Sequence, residues 1–208
     1  MAALDLDALR ATPLAREPYD HVIVPEFVRG DALGPLVRDY PRIARAGSFP
    51  VADLDYGPAF GALLDELESA ALRDAMAEKF DVDLAGRPRF VTVRGRCQEK
   101  DGQIHTDSKD KIVTVLIYLN AAWEKDGGRL RVLRSGDDLD DVAAEVPPIA
   151  GTLLAFRRSE KSFHGHRPFV GERRVVQLNW LTSAAVARRE ELRHRVSAFA
   201  KKLNPFAA

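Results

Sequence analysis

The strongest chemical signal in the chain is a histidine and an aspartate two positions apart, His105 and Asp107, just ahead of an apolar segment. In an extended backbone, residues i and i+2 point to the same side, so the imidazole and the carboxylate can meet at one point. Two further histidines, His164 and His166, follow a second apolar segment. Two histidines and one carboxylate on adjacent strands would form the facial triad that holds non-haem Fe(II) and leaves coordination positions open for chemistry.

Segments rich in valine, leucine, isoleucine and aromatic residues surround these side chains, and they predict β-strands. The segments are Phe90–Arg94, Lys111–Asn120, Arg129–Leu133, Gly151–Phe156 and Arg174–Leu181. No helical segment between them is long enough for the crossover that parallel strands require. The sequence therefore predicts an antiparallel sandwich or jelly roll over the second half of the chain.

The first third of the chain is predicted to be rich in helix. Leucine and valine spacing indicates helices over Gly30–Tyr40 and Ala59–Phe80, with a short strand at His21–Val24. Beyond the strands, Val186–Leu203 again has helical spacing, and its apolar stripe packs either on its own domain or on a second copy in a homodimer. We expect a single domain over residues 1–208, with a helix-rich part at 1–87, a jelly-roll core at 88–183 and a C-terminal helix at 184–208.

Bulk composition removes several classes of function. The 31 lysines and arginines balance 31 aspartates and glutamates, and no apolar run approaches a membrane span, so neither nucleic acid nor a membrane is expected as a partner. The single cysteine, Cys97, and the absence of a signal-peptide pattern in the first twenty residues predict a cytoplasmic protein. The acidic run at 137–141 lacks the glycine and closing glutamate of a calcium loop and is interpreted as a solvated loop.

The order and spacing of motifs over residues 90–181 resemble the 2-oxoglutarate and Fe(II)-dependent dioxygenases, in particular their prolyl-4-hydroxylase-like branch. The motifs that carry the resemblance are His105-Thr-Asp, Thr-Val-Leu-Ile-Tyr-Leu-Asn, Trp123, Gly127-Gly128-Arg-Leu, Gly151-Thr-Leu-Leu-Ala-Phe, His164, Pro168, Gly171, Arg173-Arg174 and Trp180. The resemblance implies a mainly β fold with flanking helices around a double-stranded β-helix, or jelly-roll, core. It also implies Fe(II) as cofactor, 2-oxoglutarate as co-substrate and O₂ as oxidant.

By the same resemblance, His105, Asp107 and His164 are the expected iron ligands. In that family a proline follows the last ligand by four positions, and Pro168 stands four positions after His164. His166 is then expected to lie behind the ligands or to face the substrate.

The carboxylate of 2-oxoglutarate needs a fixed cation, and Arg173 and Arg174 are the candidates. Counting back from Trp180 in steps of two puts Arg174 on the apolar face of its strand, which we expect to face the barrel interior. Arg174 is therefore the preferred binder, with Arg173 as the alternative. Tyr118 resembles a tyrosine that hydrogen-bonds the same carboxylate in related enzymes, whereas residues 94–97 (Arg-Gly-Arg-Cys) replace a second tyrosine that those enzymes often have.

The resemblance implies hydroxylation of an unactivated C–H bond of an amino acid, a protein side chain or a small metabolite, with release of succinate and CO₂. Asp107 argues against a halogenase, since that variant replaces the carboxylate with a small residue. Two alternatives stay open: a non-catalytic jelly-roll binding module, and a cupin-type metalloenzyme that does not use 2-oxoglutarate. The loops contain no motif that identifies the primary substrate.

Overall fold

The computed structural model describes residues 2–190 and 192–193. The helices are α1 (Leu6–Ala11), α2 (Gly30–Asp39), α3 (Pro58–Leu67), α4 (Ala70–Phe80) and a C-terminal helix, α5, that is described over 184–190 and 192–193. The strands are β1 (His21–Val24), β2 (Phe49–Pro50), β3 (Arg89–Cys97), β4 (Lys111–Tyr118), β5 (Leu130–Leu133), β6 (Val142–Val146), β7 (Leu153–Arg157), β8 (His164–Gly165) and β9 (Gly171–Leu181).

The strands form two antiparallel sheets that face each other. The larger sheet has the order β1-β7-β4-β9-β3-β2, and the smaller has the order β6-β5-β8. An isolated antiparallel bridge between His105 and His164 extends the smaller sheet beyond β8. This arrangement confirms the predicted antiparallel jelly roll with flanking helices.

Two apolar cores lie on opposite faces of the larger sheet, because successive side chains of a strand point to opposite sides. On β4, Val113, Val115 and Ile117 pack with residues of the N-terminal helices in the main core. Leu116 and Tyr118, which alternate with them, belong to a second core between the two sheets. The helices therefore cover the outer face of the larger sheet, while its inner face and the smaller sheet enclose the interior of the jelly roll.

The predicted helical stretch Ala59–Phe80 is helical except at Glu68 and Ser69, which divide it into α3 and α4. Pro58 occupies the first turn of α3, where its missing N–H costs nothing. Ser69 begins α4 as its N-cap, and its Oγ accepts a hydrogen bond of 3.1 Å from the Leu72 amide. The apolar spacing is compatible with one helix, and the serine cap decides where the second one starts.

The predicted strands are found, with different ends. β3 continues to Cys97 and β9 begins at Gly171, so both are longer than expected, whereas β4 ends at Tyr118 instead of Asn120. β6 is not among the predicted strands, since its sequence Val-Ala-Ala-Glu-Val has little apolar alternation. It forms because it pairs with β5, and Arg131 there holds Glu145 across the pair at 2.7 Å.

The C-terminal helix was expected over Val186–Leu203, and residues 184–190 are helical. The remainder of that prediction, including most of the stripe considered for a homodimer, lies outside the described residues. Among the residues that the structure describes, no helix is both long enough and apolar enough to cross a membrane.

Candidate metal centre

The two histidines on neighbouring strands are joined through their backbones. The amide of His105 donates to the carbonyl of His164 at 3.1 Å, and the amide of His164 donates to the carbonyl of His105 at 3.0 Å. Such a reciprocal pair places the two residues directly opposite each other. Their ring centroids are 4.3 Å apart, so the antiparallel register alone brings the two imidazoles together.

Each imidazole is oriented by a main-chain carbonyl. The Nδ1 atom of His105 lies 2.8 Å from the carbonyl of Gln103, and that of His164 lies 2.9 Å from the carbonyl of Ser162. A carbonyl can only accept, so Nδ1 carries the proton in both rings and Nε2 keeps a lone pair for a metal. Burial lowers the pKa of His164 to about 4, which keeps this ring neutral near pH 7.

The carboxylate of Asp107 is buried and held by two side chains of β4. Lys111 Nζ donates to Oδ1 at 2.8 Å, and Thr114 Oγ1 lies 2.5 Å from Oδ2. Burial opposes ionisation, yet the charge of Lys111 and the hydrogen bonds from Lys111 and Thr114 hold the pKa of Asp107 below its ordinary value. Asn179 Oδ1, on β9, lies 3.0 Å from the same Thr114 hydroxyl.

His105, Asp107 and His164 together are the one group among the described residues whose potential metal-ligand atoms converge, all within 4.8 Å of one another. Two imidazoles and one carboxylate match the donor set of a non-haem iron site. His166 is not in this group. It lies over Gly102, whose φ is +91°. A Cβ atom on residue 102 would come within 2.3 Å of the His166 ring, so glycine suits both the backbone conformation and the close contact.

A cavity of about 190 Å³ opens from these three residues into the jelly roll, and Arg173 lies in its wall. Arg173 is only 5% exposed; its Nε donates to the carbonyl of Gly128 at 2.7 Å, and its guanidinium stacks 5.3 Å from the centroid of the Tyr118 ring. Neither Arg173 Nη2 nor Tyr118 Oη has a hydrogen-bond partner within the described part of the chain. Burial raises the pKa of Tyr118, against the opposing charge of Arg173, so its hydroxyl remains a donor.

A buried cation with a free N–H group beside a free hydroxyl is costly unless an anion meets both. Arg173 therefore brings a donor for a carboxylate to the wall of the cavity that also contains the candidate metal ligands, and Tyr118 stacks against it. This arrangement fits a small dicarboxylate that reaches from the metal to Arg173.

The prediction that Arg174 faces the barrel interior is wrong. Its guanidinium lies on the helix side of the larger sheet, 5.4 Å from the Tyr40 ring centroid, and it pairs with Glu172 at 3.0 Å and donates to the carbonyl of Val37 at 3.2 Å. The alternation count was correct, but the more apolar face of β9 packs against the helices. Arg173, on the opposite face, lies in the interior.

Sequence reasoning missed the residues that hold Asp107. Thr114 lies four positions before Tyr118 on the same strand, so counting back from Tyr118 in steps of two would have placed it on the interior face. Lys111 carries no comparable signal, because a lysine at the start of a strand usually extends into solvent.

The acidic run at 137–141 contacts arginines. Asp140 pairs with both Arg131 and Arg167.

Comparison with known proteins agrees with this donor set. The sequence profile of the 2OG-Fe(II) oxygenase superfamily matches residues 95–182, which include all three candidate metal ligands and Arg173. The match covers 88 of the 208 residues, and over this segment the chain is similar to that superfamily. No curated protein sequence matches the chain.

Solved structures support the fold of this chain. The prolyl-4-hydroxylase of Pseudomonas putida is 21% identical, with a TM-score of 0.58 over 87% of this chain and 92% of that one. A prolyl 4-hydroxylase of Phytophthora capsici is 19% identical, with a TM-score of 0.54 over 88% of this chain and 67% of that one. HygX of Streptomyces hygroscopicus, solved with nickel and 2-oxoglutarate, is 13% identical, with a TM-score of 0.55 over 79% of this chain and 82% of that one. The profile match and the convergent His-Asp-His donor set support Fe(II) as the cofactor and 2-oxoglutarate as the co-substrate, as the motifs predicted.

Proposed function

We propose that this protein uses Fe(II), 2-oxoglutarate and O₂ to hydroxylate an unactivated C–H bond. The observation that carries the proposal is a single cavity that contains both the converging ligands and a buried, unpaired cation. A metal site and an anion site in one cavity are what a metal-chelating dicarboxylate requires.

In this proposal His105 and His164 bind the iron through Nε2, and Asp107 binds it through its carboxylate. Their support is the convergence of the three ligand atoms within 4.8 Å and the carbonyls that keep Nδ1 of both rings protonated. Bound iron supplies the redox chemistry that links O₂ reduction to decarboxylation of the co-substrate. The protein holds the ligands, orients both substrates and limits water in the cavity.

Arg173 and Tyr118 are the proposed residues for the distal carboxylate of 2-oxoglutarate. The guanidinium donates through Nη2 and the phenol through Oη, the two buried atoms that otherwise have no partner in the described chain. Binding the distal carboxylate here leaves the keto acid end of the molecule directed toward the metal ligands. We propose a minor role for Arg174, whose guanidinium already has Glu172 and Tyr40 as neighbours.

The overall reaction is balanced by the co-substrates alone. R–H, 2-oxoglutarate and O₂ give R–OH, succinate and CO₂, so one oxygen atom enters the product and the other enters succinate. The reaction needs no further reductant. The same stoichiometry provides the assay, because each hydroxylation releases one succinate.

The test is succinate release from 2-oxoglutarate with Fe(II) and O₂, together with metal content after loading. We expect wild-type protein to bind about one metal ion and to form succinate, and His105→Ala to lose both while its circular dichroism is unchanged. A binding module would bind no metal and form no succinate. A cupin-type enzyme would bind metal and show no dependence on 2-oxoglutarate.

We further propose a cytoplasmic location. The support is Cys97, the single cysteine, which is buried and unpaired as expected in a reducing compartment. Cell fractionation with an antibody against the protein tests this, and recovery from an oxidising compartment would contradict it.

A further inference from the structure

A second cavity, of about 520 Å³, adjoins the smaller one and shares five wall residues with it. The shared residues are Arg94, His105, Asp107, Lys111 and Gln177. The smaller cavity has the size of a metabolite such as 2-oxoglutarate, and the larger falls in the range of ordinary small-molecule sites. The larger cavity is therefore the space for the primary substrate, next to the candidate metal ligands.

One wall of the larger cavity is formed by alternate residues of β3. Phe90, Thr92 and Arg94 point into it, whereas Val93 points to the main core under the helices. Along the strand, this wall presents the aromatic ring of Phe90, the hydroxyl of Thr92 and the guanidinium of Arg94 in turn. Leu181, which belongs to the same small apolar cluster as Phe90, also lines the cavity.

The charges around this cavity are paired with one exception. Lys111 pairs with Asp107 at 2.8 Å, Arg193 pairs with Glu190 at 2.5 Å, and Arg189 pairs with Asp110. These three pairs use all the acidic residues that line the cavity.

The fourth basic residue is Arg94, which is half-buried. Its guanidinium has no hydrogen bond or ion pair to any of the residues that the structure describes. The backbone beneath it is fixed, since the Tyr40 hydroxyl donates to the Arg94 carbonyl at 2.6 Å. Gly95 follows at a bulge in β3, and a Cβ there would lie 2.6 Å from Ile43 Cβ. Such bulges re-aim neighbouring side chains, and here the unpaired cation is held beside the proposed metal ligands.

We infer that Arg94 binds a carboxylate of the primary substrate, and that the substrate is a small acid whose apolar part lies against Phe90 and Leu181. The inference rests on the proposed function. A guanidinium held on a rigid strand discriminates an acid from its neutral amide, because the amide oxygen accepts a weaker hydrogen bond and brings no charge. Arg94 would thus decide both which substrates bind and which end of them faces the metal.

The experiment measures binding of a matched acid and amide, 3-phenylpropanoate and 3-phenylpropanamide, by calorimetry. The protein is loaded with redox-inactive Zn(II) and saturating 2-oxoglutarate, so that the co-substrate cavity is filled and no turnover occurs. We expect the acid to bind wild-type protein about tenfold or more tightly than the amide, as a hydrogen bond to a charged group implies. Arg94→Met should remove this preference, and Arg94→Lys should restore part of it.

Arg96→Met is the matched control, because Arg96 lies on the same strand but is exposed and lines neither cavity. It should bind both probes as wild-type protein does. Equal binding of acid and amide by wild-type protein, or no binding of the acid, would overturn the inference. The inference would also be overturned if Arg94→Met lost as much affinity for 2-oxoglutarate as Arg173→Met does. Arg94 would then bind the co-substrate and not the primary substrate. Failure of wild-type protein to bind Zn(II) and 2-oxoglutarate in the first step would instead contradict the proposed function.

Discussion

Replacing Arg173 by methionine should remove most of the affinity for 2-oxoglutarate. The guanidinium is 5% exposed and its Nη2 atom has no partner among the described residues, so a bound carboxylate would complete a desolvated charge pair. Truncating one member of such a pair costs about 2 to 5 kcal/mol. The dissociation constant for 2-oxoglutarate should therefore rise by roughly 30-fold or more.

The assay is calorimetric titration of 2-oxoglutarate into Zn(II)-loaded protein. Arg174→Met is the matched control, since the same substitution one residue away removes a guanidinium on the helix side of the sheet. We expect it to change the dissociation constant by less than about threefold. Thermal unfolding gives a second measurement, because 2-oxoglutarate at a hundred times its dissociation constant should stabilise wild-type protein by about 2.7 kcal/mol and Arg173→Met far less at the same concentration.

Tyr118→Phe adds an intermediate case. It removes one hydroxyl donor to a charged group and should weaken binding by about tenfold. Equal losses for Arg173→Met and Arg174→Met, or a larger loss for Arg174→Met, would refute the assignment of the interior face. A normal affinity in both arginine variants would show that the carboxylate binds elsewhere in the cavity.

Two further predictions concern the candidate metal site, and a third concerns the stability of the larger sheet. His164→Ala should lose stoichiometric metal while His166→Ala retains it, as measured by metal analysis after dialysis, and the reverse result would move the third ligand by two residues. Thr114→Val should weaken metal binding by about 10- to 100-fold, because Asp107 loses the hydroxyl on Oδ2, and Thr114→Ser should restore it. Tyr40→Phe should lower the free energy of unfolding in urea by about 1 to 3 kcal/mol, because its buried hydroxyl bridges carbonyls of β3 and β9; an unchanged midpoint would contradict this.

The convergence of His105 and Asp107 was predictable from strand geometry, whereas the choice of His164 over His166 as the third candidate ligand came from the family resemblance. An H-x-D motif in extended backbone presents both side chains to one side, and the antiparallel register brings His164 opposite His105. The strands themselves were predictable from runs of β-branched and aromatic residues. Where a strand such as β6 lacks such a run, only its pairing with β5 reveals it, and pairing is a property of the tertiary structure.

The supporting residues were less predictable, because their role depends on which buried neighbour they meet. Lys111 and Thr114 hold Asp107 from the strand that follows it, and nothing in their own types indicates a metal site. Arg94 is similar. The sequence shows that Arg94 lies where related enzymes often have a tyrosine. It does not show that the Arg94 guanidinium has no acidic partner within the described chain, because that depends on how the cavity wall is packed.

The choice between the two arginines depends on which face of β9 is the interior. In a sheet covered by helices on one side, the helix-facing side is the more apolar one, because Val176, Leu178 and Trp180 pack there in the main core. The other side must include polar groups if the space between the sheets holds a metal and a dicarboxylate, and Asn179 and Arg173 lie on that side. For a jelly roll that binds ligand, the more polar face of a central strand is therefore the better sequence-based guide to the site, and a buried arginine on that face is the expected anion partner.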